Sequence, residues 1–376
     1  MINIILIYFA VRVFQQITGI VKSIHFLKKA PNLGNYNIQN SVTILIPVFC
    51  EEKSLVEALL FWKKSKFSPI FITTEKEKFN KDCRTLEILE SQTDFQIIHS
   101  PNLTGFKATQ LNFAIRKITT DGYFAIFDID SRPDFRGIEF VEKMAVDEVL
   151  QMPTLFTEKF YENSFFGKAT AIFQSRRVLA FEIPTLLNSD FGYLVGHGLF
   201  IKSTVFQKYI FCETTITEDL VFGYNLYLNG FRPQPIPYFD FSTVPQNFFQ
   251  TVPQTSRWFI GDLLFPKYIK IKLTDTWNIF FRYLHILDWF WGSIFVIYTL
   301  ILGSFVQILI AEILIFSFLS LHYFTLKIAN IKGNIKIYFG ILLKMLINSI
   351  SPTFGIYTKI LDIFNIKKLT FQRTEK

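Results

Sequence analysis

Residues 42–49, VTILIPVF, form an apolar run of strand length. A strand without polar alternation is buried on both faces, which is typical of the centre of a parallel sheet. Similar runs follow at 69–73 (PIFIT), 95–99 (FQIIH) and 123–128 (YFAIFD), separated by charged segments of helix length. This spacing predicts an α/β fold with a mostly parallel sheet, whose ligands bind beyond the carboxyl ends of the strands.

Apolar segments also lie outside this α/β region. Residues 2–21 have the length of one bilayer crossing and are followed by three lysines, although Arg12 interrupts them. We therefore predict that residues 1–30 form a membrane anchor or an interfacial helix. The lysines then place the α/β domain, residues 41–272, in the cytoplasm.

The C-terminal part of the chain predicts further membrane segments. Residues 283–326 are almost entirely apolar and too long for a single crossing, so we predict a transmembrane hairpin. Residues 337–365 are apolar but contain Lys344, Pro352 and Lys359, which leaves a third span or interfacial helices. We therefore expect a multi-pass protein of the cell membrane. An A/T-rich genome would also enrich Phe and Ile, so this prediction rests on the continuous apolar runs and not on the overall composition.

Charge and cysteine content say less about function. The formal net charge of +8 suits nucleic acid, an anionic bilayer or a phosphorylated substrate, and also ordinary solvated lysines. Of these partners, we do not expect nucleic acid. The three cysteines, Cys50, Cys83 and Cys212, lie far apart and form no CxxC pair. This pattern predicts neither a zinc site nor a disulfide framework, and it favours a reducing compartment.

Two carboxylates follow the fourth apolar run, in YFAIFDIDSRPD. On an extended backbone Asp128 and Asp130 would point to the same side and converge. Such a pair is typical of a site for Mg²⁺ or Mn²⁺, hard cations that bind together with substrate phosphates. A solvated turn is the alternative interpretation.

A second acidic motif is Thr217-Glu218-Asp219, which precedes a helical pattern that ends in Gly230. Thr217 or Asp219 could cap this helix, or the carboxylate could act as a catalytic base. The position of Asp219 beside a helix N-terminus predicts a low pKa.

The third motif is Gln254-Thr-Ser-Arg257-Trp258. At i, i+3 and i+4 its amide, guanidinium and indole share one helical face. This combination suits a sugar phosphate, because Arg binds phosphate oxygens in pairs and Trp stacks on sugar rings. Arg and Trp are also ordinary anchors at a membrane interface.

The motifs DID, TED and QTSRW occur in this order along the chain. With them the chain resembles the inverting family 2 glycosyltransferases, particularly the membrane-anchored, cellulose- and hyaluronan-synthase-like branch. The resemblance covers roughly residues 41–270. It implies a GT-A catalytic domain, which is Rossmann-like with a mostly parallel sheet, between an N-terminal anchor and C-terminal transmembrane helices. It also implies that a sugar is moved from a nucleotide sugar, with a UDP-sugar as the first expectation, with inversion at the anomeric carbon.

Shorter matches extend the resemblance. The segment Pro47-Val48-Phe49-Cys50-Glu51 is similar to the family's P-x-Y-N-E strand end, with Cys50 in place of Asn. GFKATQLN at 105–112 is similar to the G-K-x-x-x-L-N stretch. The family's second strand usually ends in an Asp that contacts the base, which PIFITTEKE lacks, so the donor stays open.

The resemblance implies a role for each matching residue. Asp219 would be the catalytic base, with Glu218 beside it, and Asp128 and Asp130 would hold Mg²⁺ or Mn²⁺. The implied donor-binding residues are Pro47, Glu51, Lys107, Asp128, Asp130 and Arg257. The implied acceptor-binding residues are His197, Gln254 and Trp258.

The acceptor is less constrained than the donor. The Q-x-x-R-W motif favours processive synthesis of a polysaccharide or glycan at the cytoplasmic membrane face, and a synthase partner subunit is plausible. The alternative is a single transfer to a lipid-linked acceptor such as ceramide or a polyprenyl phosphate. A third interpretation is a GT-A-like membrane protein that binds without catalysis. A transporter is disfavoured, because two or three spans leave little room for an alternating-access bundle.

Overall fold

The computed structural model describes residues 2–80, 83–91, 94–189, 192–270, 280, 283 and 297–363. The chain forms two compact units. The sheet unit comprises Phe26–Thr154 and Thr185–Ser242, and the helical unit comprises Met1–His25, Leu155–Pro184 and Thr243–Lys376. Residues 155–184 and 243–270, which we predicted to lie in the catalytic domain, therefore group with the apolar helices.

The described residues form short strands and helices of very different length. The strands are β1 (Val42–Pro47), β2 (Ile70–Thr74), β3 (Gln96–Ser100), β4 (Tyr123–Ile126), β5 (Arg132–Pro133), β6 (Val149–Gln151), β7 (Thr154–Leu155), β8 (Leu199–Lys202), β9 (Gln234–Pro235) and β10 (Asp240–Phe241). The helices are α1 (Ile2–Leu27), α2 (Glu52–Trp62), α3 (Thr85–Glu90), α4 (Lys107–Lys117), α5 (Phe135–Met144), α6 (Phe165–Arg177), α7 (Ile183–Asn188), α8 (Ser203–Phe206), α9 (Glu218–Leu228), α10 (Phe248–Leu264), α11 (Phe305–Ile328) and α12 (Ile335–Ile363).

The sheet unit is built on seven strands in the order β3-β2-β1-β4-β8-β6-β9. The first four are the strands predicted from the apolar runs, and they run parallel, with Leu45 of β1 between Ile70 of β2 and Ile126 of β4. Strand β8 is antiparallel to both β4 and β6. The predicted α/β, GT-A-like fold with a mostly parallel sheet is confirmed.

Alternate residues of β1 pack into different cores on the two faces of the sheet. Ile44 and Ile46 are buried with Trp62 of α2 on one face, and Leu45 is buried with Leu111 of α4 on the other. Helices cover both faces, which explains why β1 is apolar at every position except Thr43. The loops that leave the carboxyl ends of β1 and β4 therefore start from a rigid centre.

Within the described residues, three helices are long and apolar enough to cross a membrane: Ile2–Leu27, Phe305–Ile328 and Ile335–Leu361. The first coincides with the predicted anchor, and the second coincides with the second arm of the predicted hairpin. Residues 284–296, in the first arm, lie outside the described residues. The third continues as a single helix through Pro352.

Within the helical unit, α12 packs closely on α6 and α10 through small residues. A Cβ added to Gly340 would lie 2.7 Å from Cβ of Ala169 on α6. One added to Gly355 would lie 3.2 Å from the carbonyl oxygen of Ser256 on α10, and the Ser256 hydroxyl donates to the carbonyl of Ser351 at 2.6 Å. Close backbone approach through small residues is typical of helices packed in membranes.

Candidate active site

Lys107 connects three loops of the sheet unit. It is the first residue of α4, and its Nζ donates to Oδ1 of Asp128 and to the carbonyl oxygen of Gly196, both at 2.5 Å. Burial acts to lower the Lys107 pKa, but the charges of Asp128, Glu218 and Asp219 outweigh it and raise this pKa. The ammonium group is therefore a fixed positive charge among carboxylates.

Gly196 lies directly beside Asp219. A Cβ added to Gly196 would be 3.1 Å from Oδ2 of Asp219 and 3.3 Å from Nζ of Lys107. Both distances are shorter than ordinary van der Waals contact, so any other residue would crowd these two groups. The missing side chain leaves the carboxylate and the ammonium group accessible from the same side.

The motif Thr217-Glu218-Asp219 begins α9 without capping it through a side chain. Thr217 occupies the N-cap position, but its side chain makes no capping hydrogen bond. Asp219 lies two residues further on, in the first turn of the helix, and its Oδ1 accepts the N–H of Leu220 at 2.8 Å. Thr217 therefore does not cap the helix through its side chain, whereas the Asp219 carboxylate binds an N–H group of the first turn.

Burial controls the protonation of both acidic residues of this motif. It raises the pKa of Asp219, although the N–H of Leu220 and the charge of Lys107 act in the opposite direction. Our prediction of a low pKa from the helix N-terminus is therefore wrong. Burial and the charge of Asp219 raise the pKa of Glu218 to about 7. A carboxylate with a raised pKa is a stronger proton acceptor.

The two aspartates of the DID motif face different partners. The backbone is not extended here, because the N–H of Ser131 donates to the carbonyl of Asp128 at 3.0 Å and closes a turn. Asp128 pairs with Lys107, whereas Oδ2 of Asp130 accepts the hydroxyl of Ser242 at 2.8 Å. The extended geometry that we predicted for this pair is therefore wrong, although both carboxylates remain beyond the end of β4.

The chemistry of these side chains fits a divalent cation only together with a phosphorylated ligand. Among the described residues, no three or more His, Cys, Asp or Glu side chains are grouped so that they could hold a metal ion. Asp128 and Asp130 provide two carboxylates, and Ser242 adds a hydroxyl oxygen. An all-oxygen set with one or two carboxylates suits Mg²⁺, which completes its shell with water and substrate phosphates.

His197 is linked to the DID turn by a buried carboxylate. Its Nδ1 lies 2.8 Å from Oδ2 of Asp240, which is completely buried and also accepts the hydroxyl of Ser131 at 2.8 Å. The Ser131 oxygen in turn accepts the N–H of Asp128 at 3.2 Å. Burial opposes the charge on His197, but the hydrogen bond to Asp240 and the charges of Asp128 and Asp240 raise its pKa.

The sequence analysis missed Asp240, Ser242 and Ser131. A signal for the first two was present in YFDFS at 238–242, where polar residues alternate with aromatic ones. Alternation with a period of two indicates one polar face on a short strand, and both polar side chains are almost fully buried. Ser131 carried no comparable signal, because its role depends on the turn.

The end of β1 carries a disulfide that the sequence analysis did not predict. Cys50 is bonded to Cys83, and Cys212 is the free cysteine. Cys50 has φ +49°, in the left-handed region that Asn adopts more readily than other non-glycine residues. Asn, which stands at this position in the similar family motif, would adopt this backbone conformation readily.

Pro47 ends β1 and pairs with Ile72, and the partly exposed Glu51 precedes α2.

Gln254, Arg257 and Trp258 lie on α10 in the helical unit. Gln254 is buried, and its Oε1 has no hydrogen-bond partner within the described part of the chain. Arg257 and Trp258 are partly exposed. The helix confirms the shared face expected from the i, i+3, i+4 spacing, while the roles of the three side chains stay predictions.

Solved structures and one curated protein are similar to this chain. Crystal structures of Staphylococcus aureus TarS 1–349, alone and in complex with UDP, overlap with TM-scores of 0.43 and 0.43 at 11% and 13% identity. The overlap with the first structure covers 88% of this chain and 94% of the TarS chain. The overlap with the UDP complex covers 89% of this chain and 94% of the TarS chain.

A probable glycosyltransferase of Sulfolobus acidocaldarius is 26% identical in an alignment of length 241 that covers 58% of this chain and 49% of that protein. The chain thus spans about half the length of this relative. The family model for glycosyl transferase family group 2 matches residues 135–330, just over half of the chain, and includes the TED and QTSRW motifs. The protein belongs to glycosyl transferase family group 2.

Proposed function

We propose that this protein is an inverting glycosyltransferase that moves a sugar from a nucleotide sugar to a hydroxyl group of an acceptor at a membrane. The observation that carries the proposal is the grouping of Asp219, Gly196, Lys107 and Asp128. It combines a proton acceptor with a raised pKa, open space beside that acceptor, and a fixed cation. A single displacement on a diphosphate sugar needs these three parts.

In this mechanism the acceptor hydroxyl gives its proton to Asp219 while its oxygen bonds to the anomeric carbon. The bond between that carbon and the diphosphate oxygen breaks, and the nucleoside diphosphate leaves with the electron pair. Attack opposite the leaving group inverts the anomeric configuration. Lys107 would stabilise the charge that develops on the departing oxygen, because its ammonium group is already held in place.

Asp128 and Asp130 would hold Mg²⁺ or Mn²⁺ when donor is bound, and the cation would neutralise charge on the diphosphate. The remaining roles rest on the family resemblance. Pro47 and Glu51 would seat the nucleotide, Arg257 would bind the diphosphate, and His197, Gln254 and Trp258 would position the acceptor. We expect the His197 ring to keep its position when the acceptor binds, because the buried carboxylate of Asp240 holds its Nδ1.

For the acceptor, we favour a glycan that is extended at the cytoplasmic membrane face, as in the cellulose- and hyaluronan-synthase-like branch. The QTSRW face on α10 and the three helices long enough to cross a membrane support this choice. A single transfer to a lipid-linked acceptor is the second candidate.

The test is donor turnover by the full chain in lipid nanodiscs. UDP-, GDP- and dTDP-sugars would be supplied with Mg²⁺, Mn²⁺ or EDTA, and release of nucleoside diphosphate would be measured. We expect metal-dependent release from one donor class, with product size separating a polymer from a glycolipid. Tight binding of a nucleotide sugar without release, in membranes that contain the natural acceptors, would instead support a non-catalytic binding protein.

A further inference from the structure

Asn112 is a buried polar residue that the proposed mechanism does not use. It lies in the interior of α4, after Lys107, and is only 1% exposed. Asparagine is less favourable inside a helix than Ala or Leu, and a buried amide needs hydrogen-bond partners. The partners of Asn112 lie 99 and 101 residues further along the chain, in the segment that leads to α9.

The Asn112 amide binds this segment, the loop of residues 211–217, through three hydrogen bonds. Its Oδ1 accepts the N–H of Phe211 at 3.0 Å, and its Nδ2 donates to the carbonyl oxygen of Phe211 at 2.9 Å. Nδ2 also donates to Oε1 of Glu213 at 2.8 Å. One side chain therefore pairs both backbone groups of Phe211, as a neighbouring strand would. The loop has neither helix nor strand structure of its own, so these bonds fix its start.

The ring of Phe211 connects the loop to α9. It packs on the ring of Phe222 with 4.4 Å between the two centroids, and both side chains are buried. Phe222 follows Asp219 by three residues, so these two side chains are neighbours on one side of α9. Leu111 of α4 lies in the same core as both rings. A continuous series of hydrogen bonds and packed rings therefore holds α9 against α4.

The same helix α4 also carries Lys107. Lys107 is its first residue, and Asn112 lies about 7.5 Å further along the helix axis. A Cβ added to Gly196 would lie 3.3 Å from Nζ of Lys107 and 3.1 Å from Oδ2 of Asp219. The ammonium group and the carboxylate therefore meet at Gly196, although they belong to different helices. A misplacement of about 1 Å between reacting groups can slow a reaction by roughly 100-fold.

We propose that Asn112 is a positioning residue for sugar transfer, which holds Asp219 at a fixed place relative to Lys107. The inference rests on the proposed function, since that function assigns a role to both groups. Asn112 acts through the loop and through Phe211, so its loss should slow the chemical step without weakening donor binding. A purely structural asparagine would lower stability and have no specific effect on the rate.

Cys212 provides a reporter inside the loop that does not depend on turnover. It directly follows Phe211, is a free cysteine and is partly exposed. The full chain in nanodiscs would be labelled with N-ethylmaleimide without reductant, and the label would be located by peptide mass mapping. We expect Asn112→Ala to raise the labelling rate of Cys212 by about tenfold or more, because the loss of buried hydrogen bonds opens the loop.

Asn40→Ala is the matched control. Nδ2 of Asn40 also donates to two backbone carbonyl oxygens distant in sequence, those of Val141 and Ala145, at 3.1 Å each. Its loss should lower the unfolding temperature while the labelling of Cys212 and kcat stay as in the wild type. Equal labelling of Cys212 in the wild type and Asn112→Ala would overturn the proposal.

Turnover separates positioning from stability. We expect Asn112→Ala to lower kcat by roughly 10–100-fold while the Kd of the nucleotide sugar stays within about twofold. Phe211→Leu keeps the backbone groups that Asn112 binds but weakens the contact with Phe222, so kcat should fall while the labelling of Cys212 stays unchanged. Equal kcat values for Asn112→Ala and Asn40→Ala would overturn the positioning role. Absence of turnover in the wild type is a different result, which would overturn the proposed function.

Discussion

The ammonium group of Lys107 lies 2.5 Å from the carboxylate of Asp128, which joins the N-terminus of α4 to the turn after β4. The same ammonium group donates to the carbonyl of Gly196, so one side chain fixes two loops of the sheet unit. A cation held in this way needs little rearrangement when charge develops on a leaving group. In the proposed function, the diphosphate of the donor would lie beside Lys107 and the reacting hydroxyl beside Asp219.

Gly196→Ala tests whether the space beside Asp219 is used. The added methyl group would lie 3.1 Å from the Asp219 carboxylate, so we expect donor turnover to fall by roughly tenfold or more, the effect of a displacement of about 1 Å at a reacting centre. The control is Gly34→Ala, where the new methyl group meets only Oδ1 of Asn32 at 3.4 Å. Equal turnover of Gly196→Ala and the control would show that the space is not used.

Glu218→Gln tests the buried acidic pair through the pH dependence of stability. The folded-state pKa of Glu218, about 7, lies above its ordinary value of 4.5. Between these values the folded state keeps a proton that the unfolded state has lost, so stability falls as pH rises through this window. We expect Glu218→Gln to raise the thermal unfolding midpoint at pH 8 and to change it little at pH 4.

The control for that experiment is Glu90→Gln, which changes an exposed side chain on α3. Its midpoint should follow that of the wild type at both pH values. If Glu218→Gln lowered the midpoint at pH 8, the carboxylate would be stabilising in its charged form, and our account of the acidic pair would be wrong.

Asp240→Asn tests the buried link to His197. The raised pKa of His197 means that the interaction stabilises the fold fully below about pH 6.5 and that this contribution is lost as pH rises through the folded-state pKa. We expect a loss of about 1–3 kcal/mol in unfolding free energy at pH 5.5 and a smaller loss at pH 9. An imidazole NMR titration should show a lower pKa for His197.

Asp94→Asn provides the contrast, because it breaks an exposed ion pair with Lys63 and should cost only about 0–1 kcal/mol. An unchanged titration of His197 in Asp240→Asn would mean that Asp240 does not set the protonation of the ring.

The parallel centre of the fold was predictable because its sequence signal is local. The runs from VTILIPVF to YFAIFD are mostly apolar, which is typical of strands in a sheet that is covered on two faces. The helices long and apolar enough to cross a membrane were predictable for the same reason, since length and hydropathy are properties of one segment. The mixture of parallel and antiparallel pairing at β6, β8 and β9 was not predicted, because such short strands carry no periodic signal.

The site was predictable in its residue types and not in its contacts. The resemblance pointed to Lys107, Asp128 and Asp219, but the turn at Asp128 and the burial of Asp219 depend on neighbours distant in sequence. The helix N-terminus alone indicated a low pKa, and burial reverses that direction. Asp240 was missed because its partner His197 is 43 residues away.

The disulfide was missed because cysteine spacing gives no distance in space. Thiol counting in denaturant tests it: alkylation without reductant should label Cys212 alone, and alkylation after reduction should label all three cysteines. Loss of a crosslink that spans 33 residues should lower the unfolding free energy by about 3–4 kcal/mol. Labelling of three cysteines without reductant would show that Cys50 and Cys83 are thiols and would restore the sequence-based expectation.

The most direct test of the proposed function compares turnover and donor binding in wild type and Asp219→Asn. Asparagine keeps the size of the side chain but cannot accept the proton, so we expect nucleoside diphosphate release to fall by about 10²–10⁴-fold while nucleotide-sugar affinity stays within about twofold. The matched variant Asp94→Asn should retain full turnover. Turnover by Asp219→Asn within tenfold of the wild type would contradict the assignment of Asp219 as the base.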